Sequence, residues 1–389
     1  MKVRDFGEHS PGHLVRQTGP LGDYLAYVPH SIPREISMPM NVIGLLSRAD
    51  QALGELKGVG QMLPNPNLLI GPFIRREAVS SSRIEGTETD FEQLVLFEVE
   101  QGDGENTDDH REVFNYVAAT RYGLDRLKTL PVSLRLMREV HERLMGGVRG
   151  EDKTPGEFRR RQNMIGRKGQ NPAHARFVPP PVEEMKKALD ELEHYIAHPT
   201  GMPVLVELAL IHYQFETIHP FLDGNGRLGR LLINLLLCER GCLTQPLLYL
   251  SSYLERNKDE YMDHLLRVSQ SGDWVPWLEF FLEGVAVQAR TAVDRSNELL
   301  TLRDLYKTKW IEQSTSTVIL RLIDMIFERP AVTITGVANA LGITFRAAQM
   351  NVEKLESDHV LKEVTGKSRN RVYLAPAIIK IIEKNDGEG

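Results

Sequence analysis

The chain has 389 residues, 41% of them apolar and 26% charged, with a formal net charge of −6. That content supports two or three domains with cores of their own, and it excludes both a disordered chain and one whose overall field would draw it to nucleic acid. Its only cysteines, Cys238 and Cys242, lie four apart with no histidine nearby in sequence, which excludes a disulfide framework and a zinc set and leaves two buried thiols in a reducing compartment.

Residues 1 to about 35 carry Pro, Gly and Tyr with little periodicity, as in Gly19-Pro20-Leu21-Gly22 and Ser31-Ile32-Pro33, and read as an extended lead-in docked on the body. No apolar core stands behind Lys2, Arg4, Asp5 and Glu8, and no run approaches ~18 apolar residues, so neither signal peptide nor membrane span is expected and the expected location is cytoplasmic. Ile43, Leu45, Leu46, Ala49, Leu53 and Leu56 recur at helical spacing until Pro64-Asn65-Pro66-Asn67 breaks the pattern. A second helix is expected from about Leu69 to Gly86, a glycine that can take the left-handed terminating conformation; Ser81 and Glu85 share one of its faces. From Glu98 to Asp109 six acidic residues mix with Gly102 and Gly104, which reads as a solvated loop and a boundary.

Helical pattern resumes over Val113 to Leu124 and Ser133 to Leu144, with His141 on the apolar face of the second, where a lone histidine is ordinarily a core residue and is assigned no role. Short extended stretches at Asn163-Met164-Ile165-Gly166 and Arg176-Phe177-Val178 flank a basic turn, Arg167-Lys168-Gly169-Gln170-Asn171, and predict a hairpin in an otherwise helical chain. Pro179-Pro180-Pro181 is stiff and sets off a helix over 182–196. Val204 to Phe215 is strongly apolar, and Leu231 to Leu237 is apolar all round, as in a helix buried on every side.

Between those two helices runs His219-Pro220-Phe221-Leu222-Asp223-Gly224-Asn225-Gly226-Arg227-Leu228-Gly229-Arg230. Gly224 and Gly226 let the backbone approach an anion closely, and the helix that follows aims its unpaired N–H groups and positive dipole end at the same point. Arg227 and Arg230, three apart, clamp phosphates from one helix face. Left empty, they would oppose the helix dipole. Asp223 offers a hard oxygen for Mg²⁺ that keeps several waters and bridges substrate phosphates. His219 can take a proton from an incoming hydroxyl, with dipole, arginines and metal holding its pKa down.

These twelve residues match the motif HxFx(D/E)GNGRxxR without departure, and the chain is identified on them as resembling the Fic (Fido) family over about residues 35 to 290. The resemblance implies a mostly α fold, a Fic-type helical bundle with a short β-hairpin flap, that transfers AMP from ATP to a Ser, Thr or Tyr hydroxyl of a target protein and releases pyrophosphate. It makes His219 the base and Asp223 the Mg²⁺ ligand, and it assigns ATP binding to Gly224, Asn225, Gly226, Arg227, Leu228, Gly229 and Arg230. Tyr261 falls where the family often places an aromatic beside adenine. The 163–178 hairpin resembles the flap that aligns a target segment by strand addition. Ser81-Ser82-Arg83-Ile84-Glu85-Gly86 resembles the inhibitory motif (S/T)xxxE(G/N), so that Ser81, Glu85 and Gly86 form an inhibitory helix end in which Glu85 pairs with Arg230 and occupies the γ-phosphate space.

Beyond Val318 short helical units, Val318 to Phe327, Ile334 to Leu341 and Phe345 to Ser357, precede two β-like runs, 360–364 and 370–374, around a basic turn. Helix, turn, helix and wing predict a small winged-helix domain whose recognition helix would carry Arg346, Gln349, Asn351 and Lys354. Residues 315–389 hold ten Lys and Arg against nine Asp and Glu, a weak footprint for a DNA reader, so DNA contact and protein contact both stay open. The expected division is 1–112 as an N-terminal helical region with the inhibitory helix, 113–295 as the Fic core and 296–389 as the winged helix. ATP, the target protein and, through self-association, a second copy are the expected partners. A de-AMPylating or dual activity, and a DNA-binding regulator with a nucleotide-sensing Fic portion, are the alternatives.

Overall fold

The computed structural model describes residues 2–18, 22–62, 65, 67–100, 108–148, 153–166, 171–312 and 317–384. Gly19-Pro20-Leu21 of the expected extended lead-in, the breaks at Pro64 and Pro66, the centre of the acidic stretch and the basic tip at 167–170 lie outside them.

In chain order the elements begin with β1 (Gly12–Gln17), β2 (Tyr24–Pro29), α1 (Met40–Met62), α2 (Asn67–Ile84), α3 (Phe91–Glu100), α4 (Asp108–Arg126) and α5 (Leu134–Met145). Next come α6 (Val182–Ala197), α7 (Val204–Ile218), α8 (Asn225–Glu239), α9 (Ser251–Arg256), α10 (Lys258–Ser271) and α11 (Trp274–Glu312). The chain closes with α12 (Thr317–Glu328), β3 (Ala331–Thr333), α13 (Ile334–Leu341), α14 (Phe345–Ser357), β4 (Lys362–Glu363), β5 (Val372–Leu374) and α15 (Pro376–Glu383). Among the described residues no helix is long and apolar enough to cross a membrane.

These elements form two compact units built from interleaved segments: Met1–Ala52, Ala118–Cys242 and Tyr253–Val287 make one, and Leu53–Val117, Leu243–Ser252 and Gln288–Gly389 the other. The residues of α1, α4, α9 and α11 are shared out between the two units.

The first unit is layered on α7, which is buried at every position from Leu205 to Ile218 and packs against α6, α8 and α10. Such all-round burial is what an uninterrupted apolar run requires. Its one acidic residue in the first turn, Glu207, accepts the N–H and hydroxyl of Thr200, both at 2.7 Å, so the buried carboxylate is satisfied. Trp277, fully buried, donates its indole N–H to the Ala209 carbonyl at 3.0 Å. α5 begins at Ser133, whose hydroxyl caps the Leu136 N–H, and turns Leu136, Met137, Val140, His141, Leu144 and Met145 inward.

The amino-terminal stretch is not merely extended: β1 and β2 form an antiparallel hairpin in the register Gly12↔Pro29 to Gln17↔Tyr24. Ala26, Ala175 and Val178 make a small core that Val15, Tyr24 and Met164 cover, and the Tyr27 N–H bonds the Val178 carbonyl at 2.9 Å. The predicted 163–178 hairpin is reduced among the described residues to one antiparallel bridge, Ile165↔Phe177, with a 3-10 turn over Pro172–His174.

In the second unit α2 packs on α12, and buried Arg75 grips Glu98 of α3 through Nε and Nη2, the latter at 2.6 Å. α3 occupies the front of what the sequence suggested was loop. Its start is a reciprocal cap, Gln93 N–H to Asp90 Oδ1 at 2.7 Å and Asp90 N–H to Gln93 Oε1 at 3.0 Å. The carboxyl-terminal domain is a helix-turn-helix with a three-stranded antiparallel sheet in the order β3-β5-β4, so β3 and α15 add to the predicted elements.

Candidate functional site

α7 stops because His219 takes the left-handed conformation, φ 48 and ψ 61, with its N–H on the Phe215 carbonyl at 3.0 Å. For a residue with a Cβ that conformation costs about 1–2 kcal/mol, so surrounding contacts must hold it. The ring's Nδ1 lies 3.2 Å from the Glu216 carbonyl. A carbonyl only accepts, so Nδ1 carries a proton, and whenever the ring is neutral its lone pair lies on Nε2.

The loop after His219 is held by several side chains. Asn225 braces Phe221 with its amide, accepting the N–H at 2.8 Å and donating to the carbonyl at 2.9 Å. The side chain thus braces the loop, while the backbone N–H of Asn225 stands at the start of α8. Arg159, 1% exposed, gives its Nε to the His219 carbonyl at 3.0 Å and its backbone N–H to the Pro220 carbonyl at 2.9 Å. Burial lowers the pKa of this arginine to about 10, which still leaves it a cation at neutral pH. Asn163 donates to the His219 and Phe221 carbonyls at 3.0 and 2.8 Å.

His141 has the role that the sequence did not reveal. Its ring stacks on Phe221, centroids 3.7 Å apart at 10°. Nε2 donates to the Asp223 carbonyl at 3.0 Å and Nδ1 accepts the Gly156 N–H at 2.9 Å, so one neutral tautomer is locked between two loops. Burial above all, then the Arg227 guanidinium, lowers its pKa to about 4, against the raising effect of its bond to Asp223. The signal was its i, i+4 spacing from Met137 and Met145 on the buried face of α5, which marks position but not partner.

α8 opens on Gly224, φ 75 and ψ 5; a Cβ there would sit 2.6 Å from Met145 Sδ and 3.3 Å from His141 Nε2, so no side chain fits. Gly229 is required by approach: its Cβ would meet a Glu216 carboxylate oxygen of α7 at 2.3 Å. The Gly224 N–H is taken by Asp223 Oδ1 at 2.7 Å, and the Leu228 N–H closes the first intrahelical bond to Gly224 at 3.0 Å. Leu228 is fully buried, and its N–H closes this turn. The N–H groups of Asn225 and Gly226 precede that first bond and point along the dipole, which is an anion site's geometry. Arg227 and Arg230 are 3% and 2% exposed, and Arg227 lies 3.7 Å from Asp223 Oδ1 and 3.5 Å from Met145 Sδ.

Asp223 is half-exposed, and among the described residues no cluster of three His, Cys, Asp or Glu could hold a metal by itself. One carboxylate oxygen beside an anion site fits Mg²⁺, which completes its shell with water and phosphate, and does not fit a structural zinc.

Tyr261 is 1% exposed and packed between His212 and Trp277. The ring nitrogen Nδ1 of His212 faces the Gly229 carbonyl at 3.3 Å and must donate, so Nε2 accepts the Tyr261 hydroxyl at 2.7 Å. Tyr261 thereby supports His212 beneath α8. Burial first, then Arg230, pushes the His212 pKa down to about 3. Ser81, Glu85 and Gly86 belong to the other unit: Ser81 is buried inside α2, and Glu85 and Gly86 are exposed in the turn that ends it, with Gly86 at φ 98.

On α14 the exposed residues are Phe345, Arg346, Met350, Glu353, Lys354 and Ser357; Gln349 donates to Glu353 at 2.8 Å. Asn351, expected on the reading face, is buried and donates to Ala347 at 2.7 Å, because position 351 turns with Ala348 and Val352 toward the core.

Fold and site together define a helical protein in which a left-handed histidine is followed closely by a glycine-opened helix N-terminus, with a helix-turn-helix domain in the same chain. The chain belongs to the Fic/DOC family: residues 43–125 match the Fic/DOC family N-terminal region, 131–237 the Fic/DOC family domain, and 319–373 an HTH DNA binding domain. It is 30% identical over 184 residues to the protein adenylyltransferase Fic of Drosophila virilis, covering 46% of this chain and 34% of the fly protein. Over 189 residues it is likewise 30% identical to the corresponding protein of Drosophila grimshawi, with the same coverage. The chain thus spans about a third of the length of these relatives. Its fold resembles a Fic family protein from Desulfovibrio desulfuricans G20, with TM-score 0.57 and 21% identity over 88% of this chain and 98% of that one. It also resembles Fic-1 from C. elegans, with TM-score 0.52 and 20% identity over 67% of this chain and 74% of that one.

Proposed function

We infer that the protein is an adenylyltransferase that moves AMP from ATP to a Ser, Thr or Tyr hydroxyl of a target protein, releases pyrophosphate, and is restrained by Glu85 pairing with Arg230. The observation that carries the reading is the sequence of constraints from Glu216 to Gly226. A histidine with its lone pair on Nε2 is followed, five residues on, by a helix start whose Asn225 and Gly226 N–H groups precede the first intrahelical bond. In the transfer the target oxygen bonds to the α-phosphorus, the bond to the α,β-bridging oxygen breaks, and its electron pair leaves with pyrophosphate. The hydroxyl proton passes to His219 Nε2, a general-base contribution of about 10²–10⁴. Asn225 and Gly226 N–H, Arg227 and Arg230 bind the phosphate oxygens, and preorganised donors of this kind supply most of the remaining stabilisation. Mg²⁺ held at Asp223 would neutralise charge on the phosphates. The target segment adds to the edge of the stem at Ile165 and Phe177.

Incubating a lysate with ATP labelled in the α-phosphate and the Glu85→Gly protein tests this: labelled Ser, Thr or Tyr peptides with pyrophosphate release are expected. ATP binding without any incorporation would overturn it. A second reading, favoured by the helix-turn-helix match, is that α14 and the wing residues Lys362, Lys367, Arg369 and Arg371 contact DNA phosphates. A band shift that weakens steeply with salt would support it, and no shift at low salt would dismiss it.

A further inference from the structure

The base's left-handed backbone is held from outside its own loop. The His219 carbonyl accepts Arg159 Nε and Asn163 Nδ2, both at 3.0 Å, which fills its two lone pairs. The neighbouring carbonyls are held by the same two residues: Ile218 by Arg159 Nη2 at 3.5 Å, Pro220 by the Arg159 backbone N–H at 2.9 Å, and Phe221 by Asn163 Nδ2 at 2.8 Å. Four consecutive carbonyls around His219 thus hang on two side chains and one amide. The guanidinium also reaches the Pro180 carbonyl at 2.6 Å, and Gln162 ties the Asn163 and Pro179 carbonyls at 3.0 and 2.9 Å. Residues 159–165 and 177–180 are the two sides of the hairpin stem, closed by the bridge Ile165↔Phe177.

Arg159 is the informative member. It is 1% exposed, and among the described residues no carboxylate pairs with it; every bond its guanidinium makes goes to a backbone carbonyl. A buried cation without a counter-ion is expensive to keep, so packing alone would favour an apolar or neutral residue at this place. What a guanidinium does that such a residue cannot is span carbonyls on both sides of it with a planar fork.

We propose that Arg159 and Asn163 are positioning residues: they fix the left-handed backbone and ring orientation of His219 and tie it to the hairpin stem, so that the edge receiving the target and the imidazole accepting its proton are set as one body. The proposal rests on the AMP-transfer reading for its catalytic consequence, but its structural half does not. Asn163→Ala is the main variant, since Asn163 is only half-buried, and Arg159→Lys, which keeps the charge but not the fork, is the second should the first be poorly folded.

Three readouts separate positioning from loss of fold. Long-range ¹H–¹⁵N spectra of the imidazole report its tautomer; in the wild type His219 is expected purely Nδ1–H, and in the variants a mixture of tautomers. Affinity for ATP is expected to stay within threefold, because α8 and its arginines are untouched. The kcat for AMP incorporation is expected to fall ~10- to 100-fold, the scale of a misplacement of about 1 Å. An unchanged tautomer with kcat within twofold of wild type overturns the proposal. If the wild type transfers no AMP, the reading of the function fails, and the spectra still decide the clasp: a mixed tautomer in the variants upholds it and an unchanged one refutes it.

Discussion

Replacing His141 with Phe isolates what its ring nitrogens do. The aromatic plane survives, so the stack on Phe221 at 3.7 Å is retained, while the bonds to the Asp223 carbonyl at 3.0 Å and from the Gly156 N–H at 2.9 Å are lost together. An orphaned buried backbone group costs about 1–3 kcal/mol. Gly156 is buried and bears the full penalty, whereas Asp223 is half-buried and recovers part of it from water. The expected loss is therefore ~2–4 kcal/mol of unfolding free energy. Since the released carbonyl belongs to Asp223, the residue proposed to offer the Mg²⁺ oxygen, Mg·ATP affinity is expected to drop about tenfold, which is ~1.4 kcal/mol. His141→Gln places a donor near Nε2 and His141→Asn an acceptor near Nδ1, so each should recover about half of the stability. Urea denaturation followed by circular dichroism, with calorimetric titration of Mg·ATP, measures both effects. A Phe variant with the wild-type midpoint and wild-type affinity would refute the assignment.

Gly224→Ala sets a left-handed φ of 75 against a Cβ 2.6 Å from Met145 Sδ, so ATP affinity should fall tenfold or more in the same titration, and an unchanged affinity would show that the loop adapts. Glu85→Gly is expected to raise AMP incorporation ~10- to 100-fold, the worth of a charge-assisted pair, and the gain should vanish in the double variant with Arg230→Ala; equal incorporation by wild type and single variant would leave Glu85 an ordinary helix end. Stability should also report His212, whose folded pKa of about 3 lies below the unfolded value near 6.5. The unfolded chain binds that proton first, so the stabilisation is complete above pH ~6.5 and is lost as pH falls toward 3, by up to about 1.4 kcal/mol per unit. In His212→Asn that slope should flatten, and an identical slope would place the titration elsewhere.

The helices were legible because their apolar residues keep a 3.6 period: α1, α2, α5, α6, α7, α12, α13 and α14 lie close to where the pattern puts them. The amino-terminal hairpin was hidden because Gly19 and Pro20 dominate a short segment whose strands alternate weakly. For α3 the acidic run drew the eye away from a helix whose signal was the cap Asp90-x-x-Gln93 ahead of Phe91 and Leu94. At the site, residues that act through backbone geometry were readable: Gly224 and the start of α8 follow from spacing alone. Roles that depend on which partner a polar group finds were not. Asn225 sits in the motif yet braces Phe221, Tyr261 supports His212, and the two strongest props of His219, Arg159 and Asn163, lie some sixty residues away.

AMP transfer with His219 as base is tested most directly by offering Mg·ATP labelled either in the α- or in the γ-phosphate to the Glu85→Gly protein and to the same protein carrying His219→Ala. Protein-bound label from the α-phosphate alone, with stoichiometric pyrophosphate, is expected in the first. The second should bind ATP with unchanged affinity and incorporate at least a hundredfold less, in keeping with the loss of a general base. Incorporation of the γ-label, or transfer by the His219→Ala protein at the rate of its parent, would contradict it.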